Sequence, residues 1–96
     1  MIGLVATLTT QDGKGPELEA IFRELTAQVK ANEPGCLTYQ LLRNKKDPNS
    51  FRVIEFYRDD EAMKAHMESA HFQAANPKIG ATLDGRAVLE RYDAVE

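Results

Sequence analysis

The chain reads as an α+β protein of ferredoxin-like βαββαβ order, with an antiparallel sheet and both helices packed on one of its faces. Three observations lead there. Ile2, Leu4, Ala6 and Leu8 alternate with Gly3, Val5, Thr7 and Thr9, the period of a strand with one apolar face. Leu18, Ile21, Phe22, Leu25 and Val29 recur at helical spacing, and so do Ala62, Met63, His66, Met67 and Ala70. Three further runs, Leu37–Arg43, Phe51–Tyr57 and Arg86–Asp93, have the composition of strands and complete the order.

Taken in order, the first strand ends in a turn over Gln11–Gly15, and Pro16 suits the first position of the helix that follows. That helix is expected over Pro16–Asn32, acidic at its start and basic near its end at Lys30, with Glu33-Pro34-Gly35 stopping it. In the second strand Leu37, Tyr39 and Leu41 are expected on one face. The polar loop Asn44–Ser50, containing Asp47-Pro48-Asn49, then turns the chain back into an antiparallel partner. Asp59 or Asp60 can cap the second helix. His71–Leu83 contains Asn76-Pro77 and Gly80, so at most short helical turns are expected there. Asp84-Gly85 turns the chain into a last strand whose Arg86, Glu90 and Arg91 suit an unpaired sheet edge.

Composition narrows the function. With 96 residues, 43% of them hydrophobic, one domain over residues 1–96 and one core are expected. Twelve Lys and Arg against 15 Asp and Glu give a net charge of −3, and the basic residues are scattered, which argues against a nucleic-acid or anionic membrane partner. The amino terminus is strand-like, with neither a leader peptide nor a transmembrane run, so a cytoplasmic protein is expected. Cys36 is the single cysteine and reads as a small hydrophobe, without a partner for a disulfide or a zinc site. Leu42, Ile54 and Phe56 add large apolar groups to the face that two helices cannot cover. A homodimer with the sheets face to face is the economical consequence.

The stretch Phe51–Phe72 holds two residues at odds with their surroundings. Glu55 shares a strand face with Phe51, Val53 and Tyr57, and His66 lies inside the apolar arc of the second helix. Glu55 either pairs with Arg52, Arg86 or Arg91 or orients a histidine. His66 is either a general base or a core histidine bonded to a carbonyl or to Glu55. Tyr39 and Tyr57 either meet a substrate oxygen or belong to the core. His71 either sits at a pocket mouth or caps a helix, and Asn76 is a turn residue before Pro77. His66 and His71 lie five apart, not three or four, and no acid is an obvious third ligand, so no metal site is expected.

The opening strand with Gly13-Lys14, the run Glu33-Pro34-Gly35-Cys36-Leu37-Thr38-Tyr39, Phe51–Tyr57 with Glu55, and Ala65-His66 followed by Ser69-Ala70-His71-Phe72 together resemble the antibiotic biosynthesis monooxygenase family. The resemblance covers almost the whole chain. It implies a dimeric α+β barrel with a pocket between helices and sheet. Among the activities it implies is that of a quinol monooxygenase, which needs no cofactor and acts on a small aromatic substrate with dioxygen. His66 would then be the catalytic base, and Tyr39, Glu55, Tyr57, His71 and Asn76 the substrate-binding set. The same scaffold also implies, as alternatives, an isomerase or proton-transfer enzyme on a small hydroxy-carbonyl compound, or a non-catalytic binding dimer. Haem degradation is disfavoured, because the chain has no tryptophan and offers Ala6 or Thr7 where that branch has asparagine.

Overall fold

The computed structural model describes residues 1–95; Glu96, the last residue of the expected domain span, lies outside the described residues. The elements are β1 (Ile2–Thr9), α1 (Gly15–Asn32), β2 (Cys36–Arg43), β3 (Ser50–Tyr57), α2 (Asp60–Glu68), α3 (Ala70–Thr82) and β4 (Val88–Asp93). The four strands form one antiparallel sheet in the order β2-β3-β1-β4, so β4 is an edge strand, as its charges suggest. This is the expected ferredoxin-like arrangement with one extra helix. Gly85, with φ +88°, makes the turn that leads into β4, a conformation that side-chain-bearing residues rarely adopt.

Burial follows the alternation of β1. Leu4, Ala6 and Leu8 join Phe51, Val53 and Tyr57 of β3 beneath Leu18, Phe22, Leu25 and Val29 of α1, with Met63 and Ile79 closing the core from α2 and α3. Among the described residues the opposite face carries no helix. Leu42, Val88 and Tyr92 are exposed on it, and Ile54 and Phe56 are only half buried. No helix among the described residues is long and apolar enough to cross a membrane.

Three expectations need correction. First, Ala70–Thr82 is a continuous 13-residue helix instead of short turns. The Ser69 side chain accepts from the Phe72 N–H and so caps it, while Ile79 is buried and Phe72 and Ala75 pack on the core. Pro77 and Gln73 are both exposed, so the carbonyl that Pro77 leaves without an intrahelical donor lies on the watered side of the helix. Second, Leu37 does not share the inner face with Tyr39 and Leu41. The register slips by one residue between Cys36 and Thr38, and this bulge leaves Leu37 55% exposed while Cys36 lies opposite Tyr57. Third, the last strand begins at Val88, leaving Arg86 outside it.

Gly35 shows why the turn after α1 needs glycine. A Cβ there would lie 2.6 Å from the Cβ of Ala62, so the start of β2 and the first turn of α2 touch through it. Asp59 caps α2 by accepting from the Ala62 N–H at 2.8 Å. These two contacts place α2, and with it His66, over the sheet.

Candidate active site

His66 faces inward from the last turn of α2 and is 1% exposed. Three aromatic rings surround it: Phe72 with centroids 4.7 Å away, Tyr39 at 5.0 Å and Tyr57 at 5.6 Å. Burial pulls its pKa below the ordinary imidazole value, against the opposing pull of Glu33, so its neutral form is favoured.

The partner of His66 is Glu33, not Glu55. The Glu33 carboxylate, whose side chain is 8% exposed, lies 3.0 Å and 3.1 Å through its two oxygens from His66 Nδ1, and its Oε2 also bonds His71 Nε2. In the sequence Glu33 figures as part of a helix stop and of the run that resembles the family, not as a site residue. A signal was present, because an acid immediately past a helix C-terminus faces the negative end of the dipole and needs a compensating partner. His66 and His71 reach one carboxylate despite their spacing because α2 ends at Glu68 and a new helix starts at Ala70. Ser69, with ψ 147°, forms the elbow.

Glu33, His66 and His71 each offer a metal-ligand atom, all within 4.8 Å of one another, so the acid that the sequence did not supply as a third ligand exists. Here both imidazoles already hydrogen-bond the one carboxylate, and a metal ion would have to replace both bonds.

A cavity of about 260 Å³ opens on the other side of His66. Leu4, Ala6, Leu8, Phe22, Val53, Met67, Phe72 and Ile79 make it largely apolar, and Tyr39, Glu55, His66 and Asn76 bring its polar groups. Asn76, Ala87 and Leu89 are exposed and mark its mouth between α3 and β4. Among the described residues no sealed side-chain nitrogen or oxygen lacks a partner, and His66 and Tyr39 both line the cavity.

Tyr39 and Glu55 are cross-strand partners on the same sheet face. Glu55 is buried without an arginine: Arg52 points to the other face, and Arg91 lies two strands away with Leu4 between them. It accepts a hydrogen bond from the Tyr57 hydroxyl at 2.5 Å. Burial pushes its carboxyl up to about 7, the Tyr57 bond opposing and the Glu33 charge adding. Burial also raises the Tyr39 and Tyr57 phenols, helped by the charge of Glu55, so both stay protonated. Of the expected substrate-binding residues, Tyr39, Glu55 and Asn76 line the cavity, Asn76 from a helix instead of a turn. Tyr57 does not, because it stands one row beyond Glu55, behind His66. Neither does His71, which faces a separate outer groove beside Ile21, Gln28 and Lys78 and caps no helix.

Comparison with known proteins agrees with this architecture. The profile of the antibiotic biosynthesis monooxygenase family matches residues 1–78. YcnE of Bacillus subtilis (strain 168), provisionally named a monooxygenase, is 34% identical over 73 residues, 76% of this chain and 76% of its own length. A Mycobacterium tuberculosis protein named heme oxygenase (mycobilin-producing) is 34% identical over 79 residues, 81% of this chain and 74% of its own. The crystal structure of a Caulobacter crescentus CB15 protein, provisionally described as an antibiotic biosynthesis monooxygenase, superposes with a TM-score of 0.94 at 47% identity, over 99% of this chain and 90% of that one. On the match over residues 1–78 and the shared fold, the chain belongs to the antibiotic biosynthesis monooxygenase family.

Proposed function

We propose that the protein is a cofactor-independent monooxygenase that oxidises a small hydroquinone or related polyphenol with dioxygen. The observation that carries the reading is the imidazole of His66 on the wall of a largely apolar cavity. Triplet dioxygen reacts slowly with closed-shell molecules, so the substrate must become an anion able to give up an electron. The protein's task is then to remove a phenolic proton and hold the anion in a dry site. For a hydroquinone the balance is one hydroquinone and one dioxygen to one hydroxyquinone and one water. One oxygen atom enters a ring carbon, the other leaves as water, and four electrons come from the ring.

His66 Nε2 takes the phenolic proton. The Tyr39 hydroxyl, held protonated, donates to the resulting oxyanion, and Glu55, titrating near neutrality, returns a proton to the departing oxygen. A cavity of about 260 Å³ lies below the ~300–1,000 Å³ of pockets for drug-sized ligands, which suits a single-ring substrate. The apolar sheet face opposite the helices supports a homodimer. The reading places the protein in the cytoplasm, where a lone thiol such as that of Cys36 stays reduced.

Oxygen uptake with a panel of hydroquinones in metal-chelated buffer tests this. His66→Gln should lower the protein-dependent rate by on the order of 10²-fold or more with little change in melting temperature. In the wild type the rate should rise with pH through a midpoint below the ordinary imidazole value of 6.5 and fall again as Glu55 ionises near 7. Uptake no faster than autoxidation across the whole panel would remove the reading, and turnover that persists without oxygen would mark an isomerase instead.

A further inference from the structure

A histidine enclosed by aromatic rings gains a proton only at a cost, because the imidazolium has lost its water. We infer that Glu33 is the positioning residue that makes His66 a base, and that His71 is the clamp that holds Glu33 in place. The inference rests on the proposed role of His66 and extends it to two residues that do not line the cavity.

An ionised carboxylate can only accept hydrogen bonds, so the nitrogens facing Glu33 must both donate: Nδ1–H of His66 and Nε2–H of His71. With its single proton on Nδ1, neutral His66 presents the Nε2 lone pair to the cavity, the form a proton acceptor needs. The opposite tautomer would present an N–H and accept nothing. Once Nε2 has taken a proton, the carboxylate beside Nδ1 stabilises the imidazolium.

Glu33 is poorly placed to stand alone. It is the C-cap residue of α1, where the helix dipole disfavours an anion, and its side chain is nearly buried. His71 supplies the second donor that fixes the carboxylate, from the far side, at the wall of the outer groove and 16% exposed. Three separate segments converge here, the end of α1, the last turn of α2 and the first turn of α3. Glu55 makes no hydrogen bond to His66; the one its side chain accepts comes from Tyr57.

The test has an arm that needs no substrate. Nitrogen-15 NMR of histidine-labelled, metal-free protein reads the His66 tautomer directly, and Nδ1–H with an unprotonated Nε2 is expected near neutral pH. Glu33→Gln offers one acceptor and one donor instead of two acceptors. It should convert a large share of His66 to the Nε2–H form and lower kcat by on the order of 10²–10⁴-fold with KM little changed. His71→Phe should do the same more weakly, whereas His71→Gln, which keeps an N–H donor, should restore most of the tautomer and the rate. Wild-type His66 found as the Nε2–H form, or Glu33→Gln leaving the tautomer unchanged, would overturn the inference whether or not a substrate is known. The expected tautomers without oxygen uptake on any hydroquinone would instead defeat the monooxygenase reading and leave the positioning of His66 standing.

Discussion

Replacing Glu55 by glutamine tests the electrostatics of the cavity through folding alone. Glu55 is buried with the Tyr57 hydroxyl as its hydrogen-bond partner, and burial lifts its carboxyl from 4.5 to about 7. A carboxyl with a raised folded-state pKa binds its proton more tightly folded than unfolded. Its contribution to stability is therefore complete below about pH 4.5 and disappears as the pH rises through about 7. The interval from 4.5 to about 7, at ~1.4 kcal/mol per pH unit, corresponds to a loss on the order of 3 kcal/mol. Urea unfolding of the wild type and of Glu55→Gln, at one fixed protein concentration and from pH 4 to pH 8, isolates this effect. The other titrating groups are common to both proteins and largely cancel in the difference. Wild-type stability relative to the variant should fall across that window by roughly this amount and then level off. Parallel stability curves would refute the reasoning, and a wild type that gained on the variant with rising pH would mean that a cation holds the carboxylate.

Gly35→Ala should cost about 1–3 kcal/mol in urea unfolding, because the new methyl group would lie 2.6 Å from Ala62 Cβ and force β2 and α2 apart; an unchanged midpoint would contradict that contact. Burial, together with the charges of Glu33 and Glu55, pushes the Cys36 thiol up to about 12, so alkylation at pH 8 should run at least ~100-fold slower than for a free thiol. Labelling at the free-thiol rate would show the site to be open. Sedimentation at micromolar concentration should find a homodimer, and Leu42→Asp with Val88→Asp should weaken it by at least ~10-fold, since both residues are exposed on the uncovered sheet face. A monomeric wild type would refute the dimer.

The first strand and the first helix were legible because their periods are uninterrupted: Ile2–Thr9 alternates throughout, and Leu18–Val29 keeps helical spacing. Where the reading failed, tertiary contacts had overridden a local rule. Pro77 and Gly80 disfavour a helix, yet Ser69 caps one and the burial of Ile79 holds it to the core. The bulge at Leu37 is a property of the pairing with β3, which β2's own alternation does not contain. In the site, His66 was legible as a polar group inside an apolar arc. Its partner was not, because Glu33 lies 33 positions away beyond a helix end, and no spacing rule joins those two places. Tyr57 illustrates the converse: strand alternation put it correctly on the inner face, but only the packed structure separates the residue that lines the cavity from the one behind it.

Ser69 is the only residue between α2 and α3, and its hydroxyl works in both directions, donating to the His66 carbonyl at 2.7 Å and accepting from the Phe72 N–H at 3.2 Å. Met67 and Phe72, one on each helix, are walls of the same cavity, so the angle at this joint sets the distance between them. The width of the chamber is thus governed like the jaws of a caliper, from the pivot. A change at this pivot alone would alter the width with every wall residue kept, and a comparison confined to wall residues would miss it.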